Sequence, residues 1–343
     1  MVIFHGANSL TVYIIRRILG LIPVLLGITL LVFFLIRLIP GDPVITMLGD
    51  RASPQDIERV REQLGLNDPL HIQYLKYMGQ LLRGNLGQSI INRTDVTFEL
   101  AYRFPATIEM VISAMLIGVS VGITVGVVSA IRRNSWFDVL GMIGALLGVS
   151  MPIFWLALIL IYALAVNRTV LPPSARLDVD LYVRRVTGFM LVDTLLEGDV
   201  YAFFNAIWHM ILPSLVLSTV IMPALARITR ASMLEVLRQD YVRTAWAKGL
   251  AEKVVVVRHA LKNALLPVIT VIGGQLGGLL GGAILTETVF SWPGMGTWTY
   301  RAILSRDYPI VQASVLVSAT VYVFINLAVD ILYAFIDPRI RYN

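Results

Sequence analysis

Six stretches of this 343-residue sequence are apolar over lengths that can cross a bilayer, which takes about 20 residues of helix. They run over 19–38, 106–131, 139–166, 207–225, 265–285 and 311–335. Composition agrees: charged residues make up 15% of the chain, against about a quarter in soluble domains. Hydrophobic residues reach 57%, and the mean hydropathy is +0.76. The expected class is an all-α polytopic membrane protein embedded in a lipid bilayer.

Charge placement orients the spans. Arginine pairs or basic segments sit at Arg16-Arg17, at Arg132-Arg133, across 227–262 and at Arg339 and Arg341. These are alternate ends of successive spans, as the excess of Lys and Arg on the cytoplasmic side requires. The net charge of +6 is therefore read as membrane topology and not as a nucleic-acid surface. Six helices with both termini inside are expected. The first block is too long for a signal-peptide core and no small-residue cleavage site follows it, so it reads as an uncleaved span.

Two polar stretches fall on the outer side, residues 40–104 and 167–206. The first carries turn signals at Gly65-Leu-Asn-Asp-Pro69 and Gly84-Asn-Leu-Gly87. Ser53 before Pro54 reads as an N-cap with proline at the first helical position. A small folded extracytoplasmic domain is expected there. Pro152, inside the third apolar block, predicts a kink packed against protein neighbours. Pro213 and Pro223 lie in the fourth.

No catalytic constellation is present. The chain has no cysteine and four histidines, His5, His71, His209 and His259, without metal-ligand spacing. A phosphate-binding Gly-x-x-x-x-Gly-Lys-Ser/Thr loop is absent. Gly273-Gly-Gln275 faintly echoes the signature of transporter ATPases but lies inside an apolar span. Any energy would have to come from partner subunits or from an ion gradient. Span five carries two glycine ridges, Gly273, Gly277, Gly281 and Gly274, Gly278, Gly282. Each interior glycine costs about 1 kcal/mol against alanine, so they imply close helix packing, a pore-facing surface, or both. Glu109 near the outer end of span two reads as an interfacial carboxylate or a path-lining group. Asp330 near the inner end of span six is expected to pair with Arg339 or Arg341. No carboxylate sits at the expected midplane, which weighs against a gradient-driven carrier.

The most informative segment is the basic loop, with eight Lys or Arg against three Asp or Glu over 227–262. Apolar residues recur at helical spacing over 231–249, with small residues at Thr244, Ala245 and Ala247 and a closing Gly249. Spacing alone permits an amphipathic helix on the anionic inner leaflet, or a short helix whose small face fits a cleft in another protein.

Asp240-Tyr-Val-Arg-Thr-Ala-Trp-Ala-Lys-Gly-Leu250 and Arg258-His-Ala-Leu-Lys-Asn-Ala264 resemble the coupling loop of the peptide-permease branch of binding-protein-dependent ABC importer permeases. Trp246 departs from it where a basic residue is commoner. Against the general form of that motif, only Gly249, Ala245 and Leu261 agree. Leu38-Ile-Pro-Gly-Asp-Pro43, Arg103-Phe-Pro-Ala-Thr107, Ser150-Met-Pro-Ile-Phe-Trp155, Glu287-Thr-Val-Phe-Ser-Trp-Pro-Gly294 and Asp337-Pro-Arg339 extend the resemblance over nearly the whole chain, Met1 to Leu10 excepted. It looks most like the first permease subunit of a dipeptide system.

The resemblance implies the type I ABC importer permease fold: tail and first helix over 1–39, the extracytoplasmic domain over 40–104, and a core over 105–343. It implies a second homologous permease, two ATPases that hold ATP and magnesium, and an external binding protein, with no cofactor in this chain. The coupling helix, about 234–249, would contact the ATPases through Glu235, Asp240, Tyr241, Arg243, Thr244, Ala245, Lys248, Gly249 and His259. Glu109, Met151, Gln275, Gly278 and Gly282 are candidates for the translocation path. Asp68, Pro69, Trp292 and Pro293 are candidates for docking the binding protein. Dipeptides or short oligopeptides are the expected cargo. Nickel chelates, glutathione or haem are alternatives on the same machinery, and a secondary carrier, channel or scaffold is more remote.

Overall fold

The computed structural model describes residues 5–38, 42–49 and 52–336. The Pro40-Gly41 turn, the Asp337-Pro-Arg339 end and the arginines expected beside Asp330 lie outside them, as does the Asp330 side chain. Helices α1 (His5–Leu38), α2 (Pro43–Leu48), α3 (Pro54–Gln63) and α4 (Leu70–Leu81) lead into the long α5 (Val96–Ile131). After a short turn come α6 (Trp136–Ser150) and α7 (Ile153–Leu160), which runs on as a π-helical turn, Ile161–Val166. An irregular stretch leads to α8 (Met190–Glu197), α9 (Val200–Ser218), α10 (Met222–Val236) and α11 (Asp240–Ala247). The one-turn α12 (Glu252–Val254) and a π-helical segment, Val255–Leu261, enter α13 (Lys262–Val289), followed by α14 (Met295–Leu304) and α15 (Tyr308–Ile336).

Five of these helices are long and apolar enough to cross a membrane, and a sixth crossing is made when the bent pair 136–148 and 153–166 counts as one span. The fold is therefore all-helical and polytopic, as the apolar blocks require. Three boundaries differ from the sequence reading. The third span bends by 104°, more than a proline kink. Met151 is extended, with φ −92° and ψ 133°, because a residue before proline is driven out of the helical region, and Pro152 then starts a new helix. The fourth span ends at Ser218, and 219–221 break the chain before Pro223 opens α10. Proline is tolerated in that first turn, where its missing N–H has no partner to lose. The second helix begins at Val96, ten residues early, with Pro105 inside it.

The described residues of Met1–Pro105 and Gly294–Leu327 form one compact unit, and those of Ala106–Pro293 and Ala328–Arg341 form another. In the first, Ser53 caps α3 as its sequence predicts, accepting from the Asp56 N–H, and Gly65, Gly84 and Gly87 all adopt positive φ. The core of this unit is not confined to 40–104. Ile90, Val96 and Leu100 pack with Val32 and Ile36 of α1, Trp298 of α14 and Val311 of α15. A segment of about 60 residues is only marginally stable on its own buried surface, and these neighbours add to it. Two polar locks hold it. Arg37 lies 3.4 Å over the Phe33 ring and donates to Gln73 on α4. The buried Asp307 carboxylate accepts from the Ser89 hydroxyl and the Ile90 N–H.

In the second unit, α5 turns one glycine face onto the stretch that ends α9 and forms α10. A methyl group built on Gly118 would lie 2.5 Å from Ile221, and one on Gly122 would lie 2.9 Å from Leu225 and 3.0 Å from the Met222 carbonyl. On Gly126 it would lie 2.6 Å from Thr229 Cβ and 2.7 Å from the Ala226 carbonyl. This is the close backbone approach that small residues allow between membrane helices. Gly126→Ala is expected to lower the thermal midpoint of the purified protein, since overpacking of this kind costs about 1–3 kcal/mol. Gly144→Ala meets nothing within 4 Å and is expected to leave the midpoint unchanged. Equal midpoints for the two variants would show that α5 and α10 part freely.

Candidate functional site

The basic loop is not one helix. The coupling helix expected over 234–249 divides at 237–239, so that α10 ends at Val236 and α11 holds only Asp240–Ala247. Val242 and Ala245 are buried against Val255, with Val236 and Leu237 beside them. They stand three residues apart, on one stripe of the helix. Ala245, expected on the contact face, is therefore turned inward. Tyr241, Arg243, Thr244, Trp246, Lys248 and Gly249 remain exposed, as do Glu235 at the end of α10 and Asp240.

Two features fix α11 in place. Its C-terminus closes with paired bonds from Leu250 N–H to the Ala245 carbonyl and from Gly249 N–H to that of Trp246, with Gly249 at φ +72°. That is the motif in which a left-handed residue ends a helix, a position glycine occupies without strain. Tyr241 Oη accepts from Asn263 Nδ2 at 2.7 Å and donates to the His259 carbonyl at 3.4 Å, latching α11 to the segment that becomes α13. His259 thus meets α11 through its backbone.

A further contact was not anticipated from the sequence. Asp138, buried in the first turn of α6, accepts from Arg230 Nε and Nη2 on α10, each at 2.7 Å, and from the Asn134 N–H at 3.0 Å. Two parallel bonds from one guanidinium give this pair a fixed geometry. Arg230 reads from sequence only as a charge marking a span end, and nothing in the spacing names its partner.

Glu109 also lies differently from its expected place. Because α5 starts at Val96, Glu109 is well inside the helix and 7% exposed. Its carboxylate is paired with Arg176 and accepts from the Met190 and Leu191 N–H groups at the start of α8. The helix N-terminus that stabilises it is thus that of α8 and not its own. Arg176 also donates to the Gly188 carbonyl and lies 5.6 Å from the Trp292 ring centre. Burial lowers the Arg176 guanidinium from its ordinary value, and Glu109 opposes that shift. The neighbouring Asp193 carboxyl is pushed up by burial, yet ends below its ordinary value because Thr187 and Gly188 donate to it.

Trp292, expected on a docking surface, is instead 2% exposed, with Nε1 donating to the Ala106 carbonyl at 2.9 Å. Its apolar body and single donor are both satisfied inside. Pro293 is partly buried, while Pro69 is exposed and Asp68 pairs with Lys76 at 2.6 Å. His209 is buried in α9 between the Asn205 carbonyl and Asp178.

The two glycine ridges of α13 separate by role. A methyl group on Gly273 would lie 2.4 Å from Val329 of α15, so the first ridge packs at this position. Gly274 meets nothing within 4 Å, and Gly278 only the Gln275 side chain at 3.7 Å. Gly282 continues that second ridge, with surroundings outside the described residues. Met151 sits at the break of the third span.

The buried pair yields a test. Arg176→Met leaves the Glu109 carboxylate without its charge partner and is expected to destabilise the protein by about 3–5 kcal/mol, whereas adding Glu109→Gln recovers most of the loss. Thermal unfolding of the parent and the two variants in detergent reads the difference. An Arg176→Met protein as stable as the parent would remove the pair from the account.

Residues 122–342 match the family described as "Binding-protein-dependent transport system inner membrane component", and residues 10–111 match "Binding-prot-dependent transport system membrane comp, N-term". The chain is 50% identical to the dipeptide transport system permease protein of Alkalihalophilus pseudofirmus over 96% of its own length and 99% of that protein's. It is 51% identical to the di/tripeptide transport system permease protein of Pseudomonas aeruginosa at the same coverage. Against the glutathione transport system permease protein of Salmonella paratyphi A, identity is 41% over 96% of this chain and 99% of the relative. The chain belongs to the binding-protein-dependent ABC importer permeases, inner-membrane transport subunits of the type I fold that work with ATPase and binding-protein partners.

Proposed function

We propose that this permease carries dipeptides and short oligopeptides, received from an external binding protein, through a pathway formed with a second, homologous permease. Near-complete alignment with dipeptide and di/tripeptide permeases at about half identity carries this reading. The glutathione permease is the more distant of these relatives, and glutathione is itself a short peptide.

In this reading both termini and the basic loop are cytoplasmic, and two ATPases grip α11 through Tyr241, Arg243, Thr244, Trp246, Lys248 and Gly249. The support is an exposed helix held on a defined base and closed by a left-handed glycine. Residues 40–104 lie outside and receive the binding protein around Asp68 and Pro69. The open ridge of Gly274 and Gly278, with Gln275 and the break at Met151, faces the path or the second permease. ATP and magnesium act entirely within the partner subunits.

Vesicles reconstituted with the whole complex, ATP inside and binding protein outside are expected to accumulate a labelled dipeptide. That uptake should survive a protonophore and stop without ATP. Uptake that follows the proton gradient and persists without ATP would point to a secondary carrier instead. Gly249→Asp is expected to lower uptake at least about tenfold while the protein still inserts and assembles. Nothing lies within 4 Å of the added Cβ, and Asp tolerates left-handed backbone better than most residues, so the loss would report contact with the ATPase. Normal uptake by that variant would remove Gly249 from the contact.

A further inference from the structure

A cleft of about 340 Å³ opens between α5 and α6, lined by Thr124, Val128 and Ser129 on one side and by Trp136, Phe137 and Leu140 on the other. Gly141 lets the two helices close beneath it, for a methyl group there would already lie 3.1 Å from Ser129 Oγ and 3.2 Å from Val125. The rim is apolar and uncovered, with Trp136 63%, Leu140 56% and Val128 38% exposed. The helix α5 passes for a membrane span by itself and α6 does so together with α7, so a cleft between them would open sideways into hydrocarbon.

The end of the cleft at the α5–α6 turn is cationic. Arg132 and Arg133 are both exposed there, and the Arg132 guanidinium lies over the Phe137 ring, 4.5 Å from its centre. Stacking of that kind holds the planar fork in place and leaves its N–H edge free to meet an anion. Asp138, the carboxylate on α6 that also feels the charge of Arg133, has its two oxygens bonded to Arg230 and makes no ion pair with Arg132 or Arg133 among the described residues. Trp136 stands at the same level, where aromatic rings settle at the bilayer interface.

We propose that this cleft is a binding site for an anionic phospholipid, with an acyl chain between α5 and α6 and the headgroup phosphate on Arg132 and Arg133. The complementarity is of two kinds at once: an apolar slot of membrane depth, and two permanent positive charges at its mouth. Hydrocarbon satisfies the slot without any further partner, and basic pockets between membrane helices recruit anionic headgroups. A segment of another protein would have to supply apolar side chains along the slot and acids opposite both arginines.

The assembled complex in bilayer nanodiscs can be labelled with phosphatidylglycerol or phosphatidylcholine that carry the same photoactivatable acyl chain. The phosphatidylglycerol probe is expected to label the 124–141 region about tenfold more than the phosphatidylcholine probe, as two arginines near the surface permit. Arg132→Gln with Arg133→Gln should bring the two probes level. Val128→Phe, which fills the slot and leaves the charge and topology signals intact, should reduce labelling by both. Equal labelling of the parent by the two probes would overturn the proposal. So would labelling unmoved by Val128→Phe, or the absence of label because the second permease covers this face.

Discussion

The approach of α5 to α10 is so close that alanine cannot be accommodated at three successive glycine positions without something moving. In lipid, helices gain little from excluding one another's apolar surface, because hydrocarbon solvates them as well as a neighbour does. Association then rests on dispersion between surfaces in contact and on the few polar groups that find each other. Gly118, Gly122 and Gly126 supply the contact by letting backbone meet side chains at 2.5 to 3.0 Å from where a methyl would stand. With α10 seated there, α13 packs beside it, and Val268 and Leu279 join Leu217, Ile221 and Leu225 in one core.

That seat gives α10 a mechanical role. Its far end continues through 237–239 into α11, Arg230 on its flank is held by Asp138 of α6, and Tyr241 of α11 is latched to the start of α13. A displacement delivered to α11 therefore reaches three membrane helices through packed or bonded contacts. The helix α6 that Arg230 holds runs directly to the break at Met151-Pro152. A second cluster, Glu109, Arg176 and Trp292, stiffens the unit separately, with the Glu109 carboxylate held by Arg176 and by the Met190 and Leu191 N–H groups and the Trp292 donor satisfied by the Ala106 carbonyl.

Much of this is written in local patterns. Apolar length marks every membrane helix, Ser53-Pro54 marks the start of α3, and Gly249 marks the end of α11, because each reflects a constraint within one or two helical turns. The spacing of Gly118, Gly122 and Gly126 is as visible as that of the α13 glycines, and all three positions pack too closely for an added methyl group. What periodicity does not reveal is which distant group completes a charge. Glu109 and Arg176, or Asp138 and Arg230, meet only once the chain has folded, and both reverse the simpler picture of charges at span ends. Trp292 and Ala245 lie buried where a contact surface is expected, for a related reason. An aromatic after a turn, or a small residue on a short helix, fits a contact surface and an interior equally well until its neighbours are known.

The claim on which the rest depends is that α11 is where the ATPases drive this permease. The chain has no cysteine, so Trp246→Cys would place its single thiol on the exposed face of α11 for attachment of a photo-crosslinker. In the assembled complex, irradiation is expected to join this chain to an ATPase subunit, with a yield that changes when ATP is added. Crosslinking only to lipid, or to no ATPase in a complex shown to be intact, would contradict the account.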